Sequence, residues 1–353
     1  MLAQYQDKPV NWSGGSIVSV SGQSFTQALQ AYLQYTPSSQ SFLALAGVTL
    51  TISGWINTAG LAGHPSTSST WNAALAVLIT STSGVQSYAT VTGTTVASGS
   101  GWTYVTGTVT IPANAATLQL CLNIDQTTNN ASYTALFANV TCTLSFNGWN
   151  ILPMPKSPAP KQLDMEITDS VSQVQSPFTL ATQMQVWPGA ERWNCNVSMP
   201  PMKRPISNPW VAWLMSLQGI LNTFLMGDAT HAIPAGNPAG TPLVDGTVSG
   251  YNLPAFYVLH TKGWTPNTGN LLLAGDYIQL GVRLHRLTKT VNSDANGNAV
   301  LNIWPAIREM PGDGQLLIVS DTHGLWRLAE NKRAWTEFNT QIVPLSWKMT
   351  EAR

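Results

Sequence analysis

The chain has 353 residues, 44% of them apolar and only 9% charged. That length exceeds one ordinary core of about 100–200 residues, so two domains are expected, and the apolar share excludes wholesale disorder. The sixteen basic and sixteen acidic side chains cancel, which leaves no electrostatic footprint for nucleic acid or for an anionic membrane surface.

Charge is unevenly spread: Asp7, Lys8 and Asp125 are the only charged residues before position 150. Ser, Thr, Asn, Gln and Gly fill the first part instead, a composition that suits polar strand faces and turns. From about 16 to 146 short alternating runs recur at 48–52, 74–79, 105–111, 118–124 and 140–144. Each reads as a strand with one buried face, and the series predicts an antiparallel two-sheet sandwich over residues 1–147.

Pro153, Pro155, Pro158 and Pro160 alternate with small or polar residues through 148–163, a pattern expected of an extended, stiff linker. Beyond it, in 164–353, the chain becomes richer in charge, proline and tryptophan. A single helix is predicted at 208–219, with Asn208 as its cap, Pro209 at the first helical position and Gly219 ending it. Trp210, Trp213, Leu214 and Leu217 then share one face, to be packed on a sheet. Further strands are expected at 255–259, 277–280, 299–303 and 316–319, with Asn296-Gly297 marking a hairpin turn at 294–298. The Ala/Gly/Pro-rich run 233–242 reads as a long loop able to reach an adjacent subunit.

No basic-plus-apolar leader and no run of ~18 apolar residues is found. Synthesis and first folding in a reducing cytosol are expected, with Cys121, Cys142 and Cys195 as reduced core residues. No Cys or His pair has zinc-site spacing. His260, His285 and His323 are scattered and read as ordinary core or surface residues. Asp164, Glu166 and Asp169 alternate on one strand, but as a solvated strand end rather than a catalytic pair. Nucleophile elbows, phosphate loops and dinucleotide fingerprints are all missing. The expectation is no enzyme and no cofactor.

Aromatic side chains are the remaining signal, because sugar rings stack their C–H faces on Trp and Tyr. Trp55 ends an alternating run and reads as core. Trp71, after a Ser/Thr-rich loop, and Trp102 with Tyr104, after the turn at 98–101, are candidates for an exposed platform; Trp102 reads equally as a residue closing the sandwich core. Asn123, Asp125, Asn129 and Asn130 form a polar cluster suited to bonding hydroxyls, or to structural calcium. The candidate carbohydrate-binding set is therefore Trp71, Trp102, Tyr104, Asn123, Asp125 and Asn130.

The segments at 22–24, 50–56, 101–105 and 109–112 resemble jelly-roll carbohydrate-binding modules of the kind appended to glycosidases and phage tail proteins. In the second part, 191–197, 199–202, the helix, 223–228, 273–281 and 303–308 together look like minor structural proteins of phage tails, similar in role to distal tail and baseplate hub components. This second resemblance covers roughly 164–353, and the order of module and tail domain is reversed relative to most distal tail proteins. It implies a fold that is mainly β, a jelly roll followed by a split barrel or sandwich with one short helix. It also implies a virion tail component assembled in the host cytoplasm as a homo-oligomeric ring, hexameric ahead of trimeric, in contact with other tail and baseplate proteins and with host-surface glycan. A decoration that binds no sugar, and a glycan depolymerase, are the alternatives. Trp264, Trp304, Trp326, Trp335 and Trp347 are assigned mainly to the core of the second domain.

Overall fold

A computed structural model of the chain describes residues 16–20, 23, 25, 27–31, 35–38, 41–62, 71–124, 132–248, 252–336 and 342–353. Two compact units divide it, Met1–Gly148 and Trp149–Arg353. The fold is mainly β in both.

Unit 1 contains β1 (Ser16–Ser19), β2 (Gln27–Ala31), β3 (Tyr35–Pro37), β4 (Phe42–Leu43), β5 (Thr49–Asn57), β6 (Asn72–Ser81), β7 (Gln86–Thr90), β8 (Val96–Ala97), β9 (Thr103–Thr110), β10 (Ala115–Ile124) and β11 (Ala135–Phe146). They form a jelly-roll sandwich of two antiparallel sheets. One runs β1-β2-β11-β5-β9. In the other, β10 lies between β6 and the short β3 and β4, while β7 and β8 line the far edge of β6. Alternation along β5 buries Leu50, Ile52 and Ile56 and leaves Thr49, Thr51, Ser53 and Trp55 half-buried. Each fully buried aliphatic side chain contributes about 1.5–3 kcal/mol. Gly107 is required on β9, because a Cβ there would lie 2.1 Å from the Thr92 carbonyl oxygen where that segment bridges to Thr108.

Unit 2 contains β12 (Trp149–Ile151), β13 (Gln162–Thr168), β14 (Val171–Gln175), β15 (Thr182–Val186), β16 (Arg192–Ser198), β17 (Met202–Lys203), α1 (Arg204–Ser216), β18 (Thr223–Met226), β19 (Gly240–Val244), β20 (Val258–Trp264), β21 (Tyr277–Leu280), β22 (Arg283–Leu287), β23 (Ala299–Trp304), β24 (Leu317–Ile318), β25 (Gly324–Leu328), β26 (Ile342–Val343) and β27 (Ser346–Glu351). One sheet runs β12-β18-β25-β27-β16-β13. A second runs β19-β20-β23-β22-β21-β24 and nearly closes into a barrel, since Val244 N–H donates to the Gln315 carbonyl (2.8 Å) and Leu243 bridges Leu316. Separate apolar cores fill the barrel and the space between the other sheet and α1. Strand β22 serves both, with Leu287 in the barrel and Leu284 against the sheet.

The helix begins five residues earlier than its expected cap, Asn208, allows. Pro205 rather than Pro209 occupies the first turn, and Pro209 lies inside the helix, where it removes one amide donor. The buried face is the expected one: Trp210, Trp213, Leu214 and Leu217 are buried, and Trp213 meets Phe224 edge to face at 4.9 Å. Gly219, at φ +73°, ends the turn over Asn331, whose side-chain oxygen a Cβ would meet at 2.4 Å. Trp264, Trp326 and Trp347 are buried; Trp304 and Trp335 are half-buried, packed against the sheet-and-helix core.

Two segments differ from their expected freedom. The stretch 149–163 is extended, but it lies against unit 2: Ile151 pairs with Thr223, Leu152 and Met154 pack on the core, and Trp210 donates its indole N–H to the Ser157 carbonyl (3.2 Å). The loop 233–242 is pinned by the buried carboxylate of Asp276, which accepts from the amides of Ala235 (2.8 Å) and Gly236 (3.0 Å). The three cysteines are free and buried, and burial pushes each thiol up to about 12.

His285 on β22 is buried, its Nδ1 2.8 Å from the Pro305 carbonyl, and burial lowers its pKa from 6.5 to about 4. The ring therefore stays neutral in the folded chain while the unfolded chain takes up a proton. Its contribution is fully present above pH 6.5 and is lost as pH falls toward about 4. Denaturant melts should show up to about 3 kcal/mol of this acid-linked loss, and the slope should shrink in His285→Gln; an unchanged slope would exclude His285 as its source.

Candidate functional site

The outward face of the β11-β5-β9 portion of unit 1 is a regular lattice. Register places Ser145, Thr49 and Thr110 side by side, then Thr143, Thr51 and Thr108, then Thr141, Ser53 and Thr106. Strand spacing is about 4.8 Å and same-face residues along a strand repeat at about 6.7 Å. The hydroxyls of Ser53 and Thr141 are 2.8 Å apart and those of Thr49 and Thr110 3.4 Å apart. Every side chain in this grid is exposed or half-buried.

The next position along the grid is aromatic. Trp55 stands opposite Tyr104, with ring centroids 5.4 Å apart. Trp102 precedes β9 and meets Phe25 edge to face at 4.9 Å; Phe25 in turn lies 6.2 Å from Trp55. Phe25, Ala28 and Ala138 form the buried floor of this cluster, with Trp55 and Trp102 half-buried above it. Tyr104 is 56% exposed. Aromatic faces beside a polar lattice are suited to stacking a sugar ring and bonding its hydroxyls.

Of the expected site residues, Trp102 and Tyr104 come together here. Trp71 does not: at the residue before β6, whose stretch 73–78 is buried on both faces, it is only 4% exposed and meets Tyr133 edge to face at 5.8 Å. Asn123 is on the other sheet, opposite Ala74, 7% exposed, with its side-chain oxygen unpartnered. Asp125, Asn129 and Asn130 lie outside the described residues. Trp55, expected in the core, faces outward instead. The run of Thr at alternate positions in β5 and β9 was the available signal for this face, but only pairing in register turns those runs into a lattice.

Asp164 and Glu166 lie exposed on the edge strand β13, bonded to Gln162 (2.8 Å) and Asn196 (3.0 Å), and Asp169 accepts from the Trp304 indole at 2.9 Å. Among the described residues no three of His, Cys, Asp and Glu converge as a metal site.

Geometrically the chain is a mainly β protein whose sandwich unit presents an uncharged aromatic face. No family model matches it, and no curated protein matches it. Solved structures do. The CBM22-1 xylan-binding domain of a Paenibacillus barcinonensis protein is 16% identical, covering 42% of this chain and 94% of that one at a TM-score of 0.30. The CBM22-1 and GH10 modules of a Clostridium thermocellum endo-1,4-β-D-xylanase are 18% identical, covering 39% and 26% at 0.29. The enzymatically active domain of bacteriophage CBA120 tailspike protein 4 is 10% identical, covering 40% and 20% at 0.27. Likeness at this level assigns neither family nor ligand.

Removing Trp71 should act on stability alone. Trp71→Ala is expected to cost about 3–5 kcal/mol, as for a buried aromatic, whereas Tyr104→Ala should stay within about 0.5 kcal/mol, as for a surface change. Thermal melting of the two variants separates them, and equal losses would mean that Tyr104 is core.

Proposed function

We propose that unit 1 binds a neutral glycan on the Trp55–Trp102–Tyr104 face, and that the whole chain is a non-enzymatic structural component of a phage tail or baseplate. In this reading unit 2 assembles into a homo-oligomeric ring and unit 1 is displayed toward the host surface. The observation that carries the glycan reading is the aromatic group at the head of an exposed hydroxyl lattice. Its lack of charge sets the ligand class. Among the described residues the face carries no Lys or Arg to pair with uronates, sialic acids or phosphates, which favours a chain of neutral sugars as the ligand. The tail role is supported by the resemblance of the segments in 191–308 to minor tail proteins, and a ring gives a weak single site the avidity that attachment needs.

Affinity electrophoresis against neutral and acidic polysaccharides tests the reading. The parent chain should be retarded by a neutral polymer, and Trp102→Ala with Tyr104→Ala should weaken binding at least roughly tenfold, about 1.4 kcal/mol, with melting of the Tyr104→Ala chain unchanged. Retardation by acidic polymers alone would overturn the neutral ligand, and retardation by none at millimolar sugar would leave unit 1 a structural decoration. Glycan cleavage would overturn the non-enzymatic assignment.

A further inference from the structure

The hydroxyl lattice of unit 1 runs on well past its aromatic group. Beyond the Trp55–Tyr104 pair three further rows follow along the strands, and their nine outward positions hold seven Thr and two Ser. At about 6.7 Å per step the face is about 20 Å long, against about 10 Å across its three strands. The aromatic side chains stand at one end of the long axis only. In the outer rows Ser53 bonds Thr141 and Thr49 bonds Thr110. The middle row, Thr143, Thr51 and Thr108, has no side-chain hydrogen bond among the described residues, and all three are exposed or half-buried. A face that needed only to stay wet would not need a single functional group. On β6 the side away from Leu75 and Val77 is mixed, with Asn72, Ala74, Ala76, Leu78 and Thr80.

We propose that the glycan lies lengthwise along β5 and β9, with one sugar stacked on the aromatic group and the following sugars over the Thr rows. The site then takes a linear run of several neutral sugars. A single sugar on the aromatic pair would leave all three hydroxyl rows unused, and so would a chain crossing the strands there. Each Thr offers a hydroxyl that both donates and accepts, and a methyl for the C–H face of a ring. Thr51 and Thr108, with free hydroxyls in the middle of the run, set the length of chain that is recognised.

The lengthwise run depends on the glycan reading proposed above. The test is titration calorimetry of the full chain with size-fractionated fragments, from the disaccharide upward, of the neutral polysaccharide that retards it in electrophoresis. For the parent, affinity should climb with fragment length and level off once a fragment spans about 20 Å. Thr51→Val/Thr108→Val removes two hydroxyls and keeps the branched shape that suits a strand. It should weaken long fragments about tenfold and leave the shortest bound fragment unchanged, whereas Tyr104→Ala should weaken every length by the same factor. Thr51→Ser/Thr108→Ser keeps the hydroxyls and should bind as the parent does. Circular dichroism melts check folding, and Thr108→Val alone is read in the same way if the double variant does not fold. A parent whose affinity is flat with length, or that binds no fragment, would overturn the lengthwise run. So would a valine variant that weakens short and long fragments alike, or neither. In each of these cases polysaccharide binding by unit 1 still stands. A parent retarded by no neutral polysaccharide would remove the glycan reading itself, and the lengthwise run with it.

Discussion

Unit 2 depends on a buried charge cluster between its barrel and its sheet. Glu351 on β27 is 5% exposed and receives the Arg308 guanidinium, one of whose nitrogens lies 2.8 Å from Oε2; Arg283 on β22 stands at 3.8 Å. Arg283 also donates to the Ala352 carbonyl and to Glu309. Arg308 donates to the Glu191 carbonyl as well, while the Glu191 carboxylate accepts from the Gly189 amide (2.8 Å) and the Tyr257 hydroxyl. Burial, with Glu191 beside it, pushes the Tyr257 phenol up to about 12, so it remains a donor. Desolvation offsets most of the attraction in such a cluster, but removing one member strands the others at a cost of about 3–5 kcal/mol. Its value is orientation. The cluster sets how barrel and sheet meet.

Unit 1 is held together by the opposite means. None of its described residues is charged, and its order comes from alternation: leucine, isoleucine and valine inward, threonine and serine outward. β-Branched threonine fits the pleat and still offers a hydroxyl. The same choice of residue therefore makes the strand, keeps the face wet and builds the lattice on which the aromatic group sits.

The strand rhythm of unit 1, the break near 148, and the buried face of α1 were legible because period and composition report them directly. Side-chain direction at the strand ends was not. Trp55 and Trp71 exchanged places, since an aromatic at the margin of a run falls inward or outward by one step of register, and register depends on partners far away in sequence. The helix start slipped for a local reason: two prolines four residues apart, Pro205 and Pro209, can both open a helix. Asp276 pinning the loop at 233–242 joins residues about forty positions apart and leaves no local trace. The hairpin at 170–188 went unread because its alternation, Val171, Gln173 and Gln175 against Ser172 and Val174, defines no buried face at all.

The uncharged face of unit 1 has a consequence for the conditions under which it can work. Coulombic attraction fades over about 8 Å at physiological salt and faster in brine, so a surface that relied on it would hold well in dilute water and poorly in the sea. Stacking and hydroxyl bonding contain no such screened part, and threonine and serine do not titrate. A contact made on this lattice would keep the same strength from fresh water to seawater and across the ordinary range of acidity, with temperature the variable left to loosen it.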